Sequence, residues 1–269
     1  MFRRIAQLKE QECQTAVGDV MYMLIFSKFS ELRVPLVPKL SSCIYNDRLE
    51  ILPPKHWELE SVYDLEVLEL VKQHVSAVIG LRVNSSVTDS WAITDVLRHS
   101  LSRTYVSSVV YGYFLKSAIS RHYLERCLSA AYHDLDLGHH STIQYPESAP
   151  HGLGNLVLGR SRIRESATPG PGTCRPEERH ESLRSYVLGL DAESLQICGK
   201  LKSEEAISLI EKHSYALFGN GKPGHNTKDE VIRTSFSSMK RLVLEAVAFG
   251  FFLQDAEEYV NAIFRLKEN

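Results

Sequence analysis

A glycine set among aromatic residues, inside a long apolar helical pattern, occurs twice in this chain. It stands in Val109-Val-Tyr-Gly-Tyr-Phe-Leu115 and again in Val247-Ala-Phe-Gly-Phe-Phe-Leu253. A glycine in a helix interior costs about 1 kcal/mol relative to alanine, so it marks a place where another backbone comes close. The surroundings match as well. Arg103, Val109, Gly112, Phe114, Leu115 and Ala118 recur, all at one constant offset, as Arg241, Val247, Gly250, Phe252, Leu253 and Ala256. Upstream, Glu66, Leu70, His74, Ala77 and Gly80 recur at an offset one position longer, as Glu205, Leu209, His213, Ala216 and Gly219. A single slip in a connecting loop accounts for the difference, and the pattern predicts a duplicated helical hairpin.

Helical periodicity supplies the arms of both hairpins. In the first copy Leu65, Leu68, Val71, Val75, Val78 and Ile79 form one stripe, with Asp64 or Ser61 as N-cap and Gly80 as C-cap. A second and longer pattern follows from about Trp91 to Ala131. In the second copy a helix opens at Ser203 and stops at Gly219, and another runs from about Ser235 to Leu266 with Thr234 or Ser235 as cap. Ahead of both copies, an unbroken pattern predicts a helix from about Phe2 to Ser30, in which Gly18 is the weak position. Pro35 and Pro38 then require an extended segment, because each disfavours helix in the residue before it. Between Tyr132 and Ser182 the periodicity gives way to glycine and proline, which reads as a disordered linker. The expected fold is therefore all-α: two repeated helical hairpins packed as a bundle, an N-terminal helix and a disordered linker. The organisation follows as 1–131, the N-terminal helix and first repeat; 132–182, the linker; and 183–269, the second repeat.

Composition removes several classes of function. The formal charge of -2 over 269 residues supplies no field that would draw nucleic acid. The longest apolar run, Val20 to Phe26, is far short of the roughly 20 residues that span a bilayer. Five scattered cysteines contain no C-x-x-C pair and support neither a disulfide framework nor a zinc site. The first residues bring acids at Glu10 and Glu12 and show no targeting pattern.

Few residues stand out as chemistry. Glu66 with Arg103, and Glu205 with Arg241, fall at comparable distances from the turns of their hairpins and are expected to meet as ion pairs. His74 and His213 occupy equivalent positions at the edge of a buried stripe; a shared crevice between the copies would make them ligands or acid–base groups, and otherwise they are partly buried structural histidines. The aromatic residues around Gly112 and Gly250 predict helices central to the core or touching a partner. Gly219-Asn-Gly-Lys-Pro-Gly224 follows a helix rather than a strand and reads as a turn, not a dinucleotide loop. His133, His139, His140 and His151 fall in the linker without fixed geometry, so no metal site is assigned. No catalytic residue and no cofactor are called for.

Three segments resemble a known family: Phe26 to Lys39, His74 to Gly80, and Thr234 to Leu253. They are similar to the plant plastid proteins labelled UV-B-induced, built on a domain of unknown function, and the second copy resembles short cyanobacterial members. The resemblance implies a chloroplast setting, with the cytoplasm as the alternative because no transit peptide is visible, and it carries no activity. The leading functional expectation is a non-catalytic plastid protein acting through helix–helix contacts with an unidentified protein partner or with its own copies, responsive to UV-B or stress by resemblance. A small-molecule or pigment-binding bundle is second, and an enzyme using the paired histidines third.

Overall fold

The computed structural model describes residues 2–80, 92–137, 182–219 and 230–264. Eight α-helices and four strands are assigned among them: α1 (Phe2–Glu31), β1 (Ile44–Tyr45), β2 (Arg48–Leu49), α2 (His56–Glu60), α3 (Leu65–Ile79), β3 (Ile93–Leu97), α4 (Arg98–Leu137), α5 (Leu183–Gly189), α6 (Ala192–Gly199), α7 (Glu204–Phe218), β4 (Val231–Ser235) and α8 (Phe236–Phe264). The chain divides into two units, Met1–Leu124 with Ser182–Asn269, and Glu125–Glu181. Of the second unit, residues 125–137 are described, and they continue α4 as helix. Residues 138–181 of the linker expected over 132–182, with His139, His140 and His151, the connector Asn84 to Ser90 and residues 220–224 of the glycine-rich turn all lie outside the described residues, while residues 132–137 of that linker are helix.

The all-α expectation is corrected by a mixed four-stranded sheet in the order β1-β2-β4-β3. Residues 93–97 and 231–235 carry apolar side chains at spacings that suit the first turn of a helix equally well. Their strand state comes from pairing with each other, antiparallel, with Thr94 opposite Thr234 and Asp95 opposite Arg233. A partner from the other half of the chain leaves no trace in local periodicity. The β1–β2 hairpin turns on Asn46 and Asp47, at φ 50° and 57°. Two consecutive left-handed residues make the tight turn whose twist suits a hairpin, and Asn and Asp tolerate that conformation best after glycine. β2 then lies parallel to β4, and Thr234 Oγ1 donates to the Leu49 carbonyl at 3.2 Å.

Helix ends follow local chemistry. Asp64 caps α3 by accepting from the Val67 amide at 2.9 Å, and Gly80 ends the helix at φ 74°. Ser203 caps α7 through the Ala206 amide, and Ser235 accepts from the Ser238 amide at the start of α8.

α8 is the centre of the first unit. Every residue from Arg241 to Gly250 is buried, as expected of a helix surrounded by others. α1, α2 and α3 pack on it, and α7 packs on α1. α4 crosses it at the two glycines. A Cβ on Gly112 would fall 2.8 Å from the Val247 carbonyl carbon, and one on Gly250 would fall 2.7 Å from that of Val109. These are backbone contacts, so no side chain can yield to make room. Around the crossing Tyr113, Leu115, Val247, Phe249 and Leu253 are fully buried.

Candidate functional site

α1 and α7 lie side by side and leave a cleft of about 410 Å³ between them. Gly18, Asp19 and Tyr22 contribute one wall, and Glu205, Lys212 and His213 contribute the other. The walls are positioned by buried anchors. Met21, Ile25 and Phe29 fix α1 against the core, while Ala206, Leu209 and Ile210 do the same for α7.

His213 lies at the edge of the cleft nearest the core. Its Nε2 is 2.9 Å from the Tyr105 hydroxyl, and its ring stacks on Phe249 with centroids 4.3 Å apart. Burial pushes the imidazole down to about 4, so it is neutral at physiological pH. His74, its expected counterpart, lies on α3. It bonds Ser108 Oγ at 3.1 Å and stacks on Tyr111 at 4.0 Å, and burial likewise brings it down to about 4. His213 lines the α1–α7 cleft and His74 does not. The two rings therefore do not share that crevice, and each is held by one hydroxyl and one aromatic face.

The expected ion pairs are not formed. Glu66 accepts from the Leu183 amide at 3.1 Å, at the start of α5, and Arg103 is exposed. Arg241 turns to its own helix, with Nη1 2.7 Å from Glu245 Oε2, while Nη2 donates to the Pro35 carbonyl at 2.8 Å. Glu245 in turn accepts from the Val37 amide at 3.1 and 3.0 Å. Arg241 and Glu245 are both buried, and together they hold the extended segment that Pro35 and Pro38 impose. Their one-turn spacing along the helix is a readable signal for the pair. What the sequence hides is the backbone that the pair grips. Glu205 is left 7% exposed, with its Oε2 buried and without a hydrogen-bond partner.

A further buried carboxylate ties three helices together. Glu257 of α8 accepts from the Ser203 amide at 2.8 Å, from the Ser203 hydroxyl and from the Tyr113 hydroxyl. It thus joins the N-terminus of α7 to α4. Among the described residues no group of three or more His, Cys, Asp or Glu side chains is placed to hold a metal ion, and no helix is long and apolar enough to cross a membrane.

The outer side of α1 carries apolar residues too. Ile5 and Leu8 are exposed near its start, and Val20, Met23 and Phe26 near its end, Met23 at 61%. Met23 lies about five turns beyond Ile5, as Phe26 does beyond Leu8, so the two clusters share one line along the helix over about 30 Å. Glu12, Ala16 and Asp19 fall between them, so the face is apolar at its two ends and acidic in the middle.

The family model described as Protein of unknown function (DUF760) matches residues 1–128 and 182–261. A protein of Arabidopsis thaliana named as UV-B-induced and chloroplastic is 35% identical over 275 residues, which cover 97% of this chain. The chain spans 63% of that relative's length. No solved structure matches.

Proposed function

The chain belongs to the DUF760 family of proteins of unknown function, and on that premise we propose that it is a non-catalytic plastid protein that docks a helix of a partner protein along the outer face of α1. The observation that carries this reading is the pair of exposed apolar clusters on one face, Ile5 with Leu8 and Met23 with Phe26, on a helix whose opposite side, Met21, Ile25 and Phe29, is buried. Exposed apolar residues gathered on one face mark interaction surfaces, and a straight line of this length fits another helix. The plastid setting and the link to UV-B are taken from the name of the Arabidopsis thaliana relative.

The histidines favour this reading over an enzyme. Each is engaged by a hydroxyl and an aromatic ring, which is a structural use of the side chain. The aromatic residues around the crossing are likewise engaged in packing. Phe252 meets Phe29 edge-on at 5.4 Å, and Phe251 meets Tyr63 at 5.3 Å, so their faces serve the core rather than a pigment.

We also read the two halves as copies related by a pseudo-twofold axis. Gly112 approaches Val247 as Gly250 approaches Val109, and His74 stacks on Tyr111 as His213 stacks on Phe249. Asp95 and Arg233, separated by the same offset as the two glycines, lie opposite each other in the β3–β4 pair. All three relations support a twofold that exchanges each residue with its counterpart in the other copy.

Affinity purification from chloroplast stroma tests the docking face. The wild-type chain is expected to retain its partner, and Met23→Glu is expected to lose it at an unchanged melting temperature. Equal recovery by the two proteins would contradict the proposal.

A further inference from the structure

We propose that the cleft between α1 and α7 binds a small organic cation, with its ammonium group held by Glu205 and its carbon chain lying against Tyr22 and Leu209. Buried polar atoms are nearly always hydrogen-bonded, because an unpaired one forfeits the interactions it had in water. Glu205 departs from that rule. It is only 7% exposed, it lines the cleft, and its Oε2 has no partner. A carboxylate oxygen accepts and cannot donate, so the group it lacks is a donor, and a cationic donor compensates it best.

The charge of the whole cleft points the same way. Asp19 on α1 and Glu205 on α7 are acidic, and Lys212 is the one base among the lining residues, so negative charge prevails even with Glu204 left out of the count. His213 adds no positive charge at physiological pH. Tyr22 lines the cleft beside these acids, and aromatic rings attract organic cations. A volume of about 410 Å³ falls in the range of small-molecule pockets and far exceeds a bare metal ion.

Gly18 supplies an independent observation. Unlike Gly112 and Gly250, it has nothing within 4 Å of the position its Cβ would take. No backbone approach requires glycine there, and the helix is weakened by it. Gly18 lines the cleft, where a side chain would take up the ligand's space.

Calorimetric titration of the full chain with putrescine and with n-butylammonium tests the proposal, with butanediol and butyrate as uncharged and anionic controls. Potassium and magnesium chloride at matched ionic strength separate an organic ammonium from a simple cation. Saturable binding of the amines is expected at least tenfold tighter than any binding of the controls. Glu205→Gln is expected to weaken it at least tenfold. Gly18→Leu is expected to abolish it while raising the melting temperature, which keeps the test decisive if Glu205→Gln fails to fold. The proposal is overturned if neither amine saturates, if butanediol or a salt binds as well, or if Gly18→Leu still binds the amines. This test does not use the outer face of α1, so its failure leaves the docking proposal standing.

Discussion

Gly112 sits against the backbone of Val247, with room for a hydrogen but not a methyl group, and the same relationship holds in reverse between Gly250 and Val109. One helix crossing is thus specified from both sides. Gly112→Ala and Gly250→Ala are each expected to cost about 3 kcal/mol or more, because the obstruction is main chain and the helices must separate. Gly18→Ala, in open space, is expected to stabilise by up to about 1 kcal/mol. Denaturant unfolding of the three variants checks the contrast, and wild-type midpoints for the first two would disprove the crossing.

The buried Arg241–Glu245 pair predicts a dependence on both partners. Arg241→Ala leaves the Glu245 carboxyl and the Pro35 carbonyl without their guanidinium, and a loss of about 3–5 kcal/mol is expected. Replacing both residues by leucine is expected to cost less than the sum of the two single changes, a difference that a double-mutant cycle measures.

Burial also pushes Glu245 up to about 7, against the pull of Arg241. Its folded value lies above the unfolded one, near 4.5, so the stability it contributes is complete below about pH 4.5 and is lost as pH rises through about 7. Wild type is therefore expected to lose stability relative to Glu245→Gln over that interval, by an amount on the order of 3 kcal/mol. Unfolding curves of the two proteins at several pH values give the difference directly.

His213 acts in the opposite sense. Its folded value of about 4 lies below the ordinary 6.5, so its contribution is complete above about pH 6.5 and is lost as pH falls through about 4. His213→Phe, which keeps a ring against Phe249, is expected to remove roughly 3 kcal/mol of acid sensitivity. Proton NMR of the wild-type imidazole at pH 6 is expected to show the neutral ring. Between about pH 4.5 and 6.5 Glu245 opposes His213 and also His74, which burial shifts in the same sense as His213, so wild-type stability is expected to rise with pH there, and the variants separate the contributions.

Most of the helical frame is legible because its signals are local. Apolar spacing marks α1, α3, α7 and α8, and Asp64, Ser203 and Gly80 punctuate them where side-chain caps and a left-handed glycine require. The sheet is not legible. β3 and β4 are five residues each and owe their state to pairing between the two halves of the chain. The turn at Asn46 and Asp47 joins strands of two residues, too short for any alternation to show. The site residues divide along the same line. Gly112 and Gly250 announce close approach through the cost of glycine in a helix, whereas the partners of Glu66 and Arg241 are set by the placement of α5 and of the Pro35–Val37 segment. The orphaned oxygen of Glu205 depends on how α1 lies beside α7, which no spacing within either helix encodes.

Site-specific photo-crosslinking in stroma tests the docking face most directly. A photoreactive residue at Met23 is compared with one at Trp57, which is 80% exposed on α2. One dominant adduct is expected from position 23, with the crosslinked peptides mapping to a helical segment of a partner protein, and no such adduct from position 57. Equal labelling from both positions, or adducts from position 23 that map to this chain's own sequence, would contradict the docking proposal.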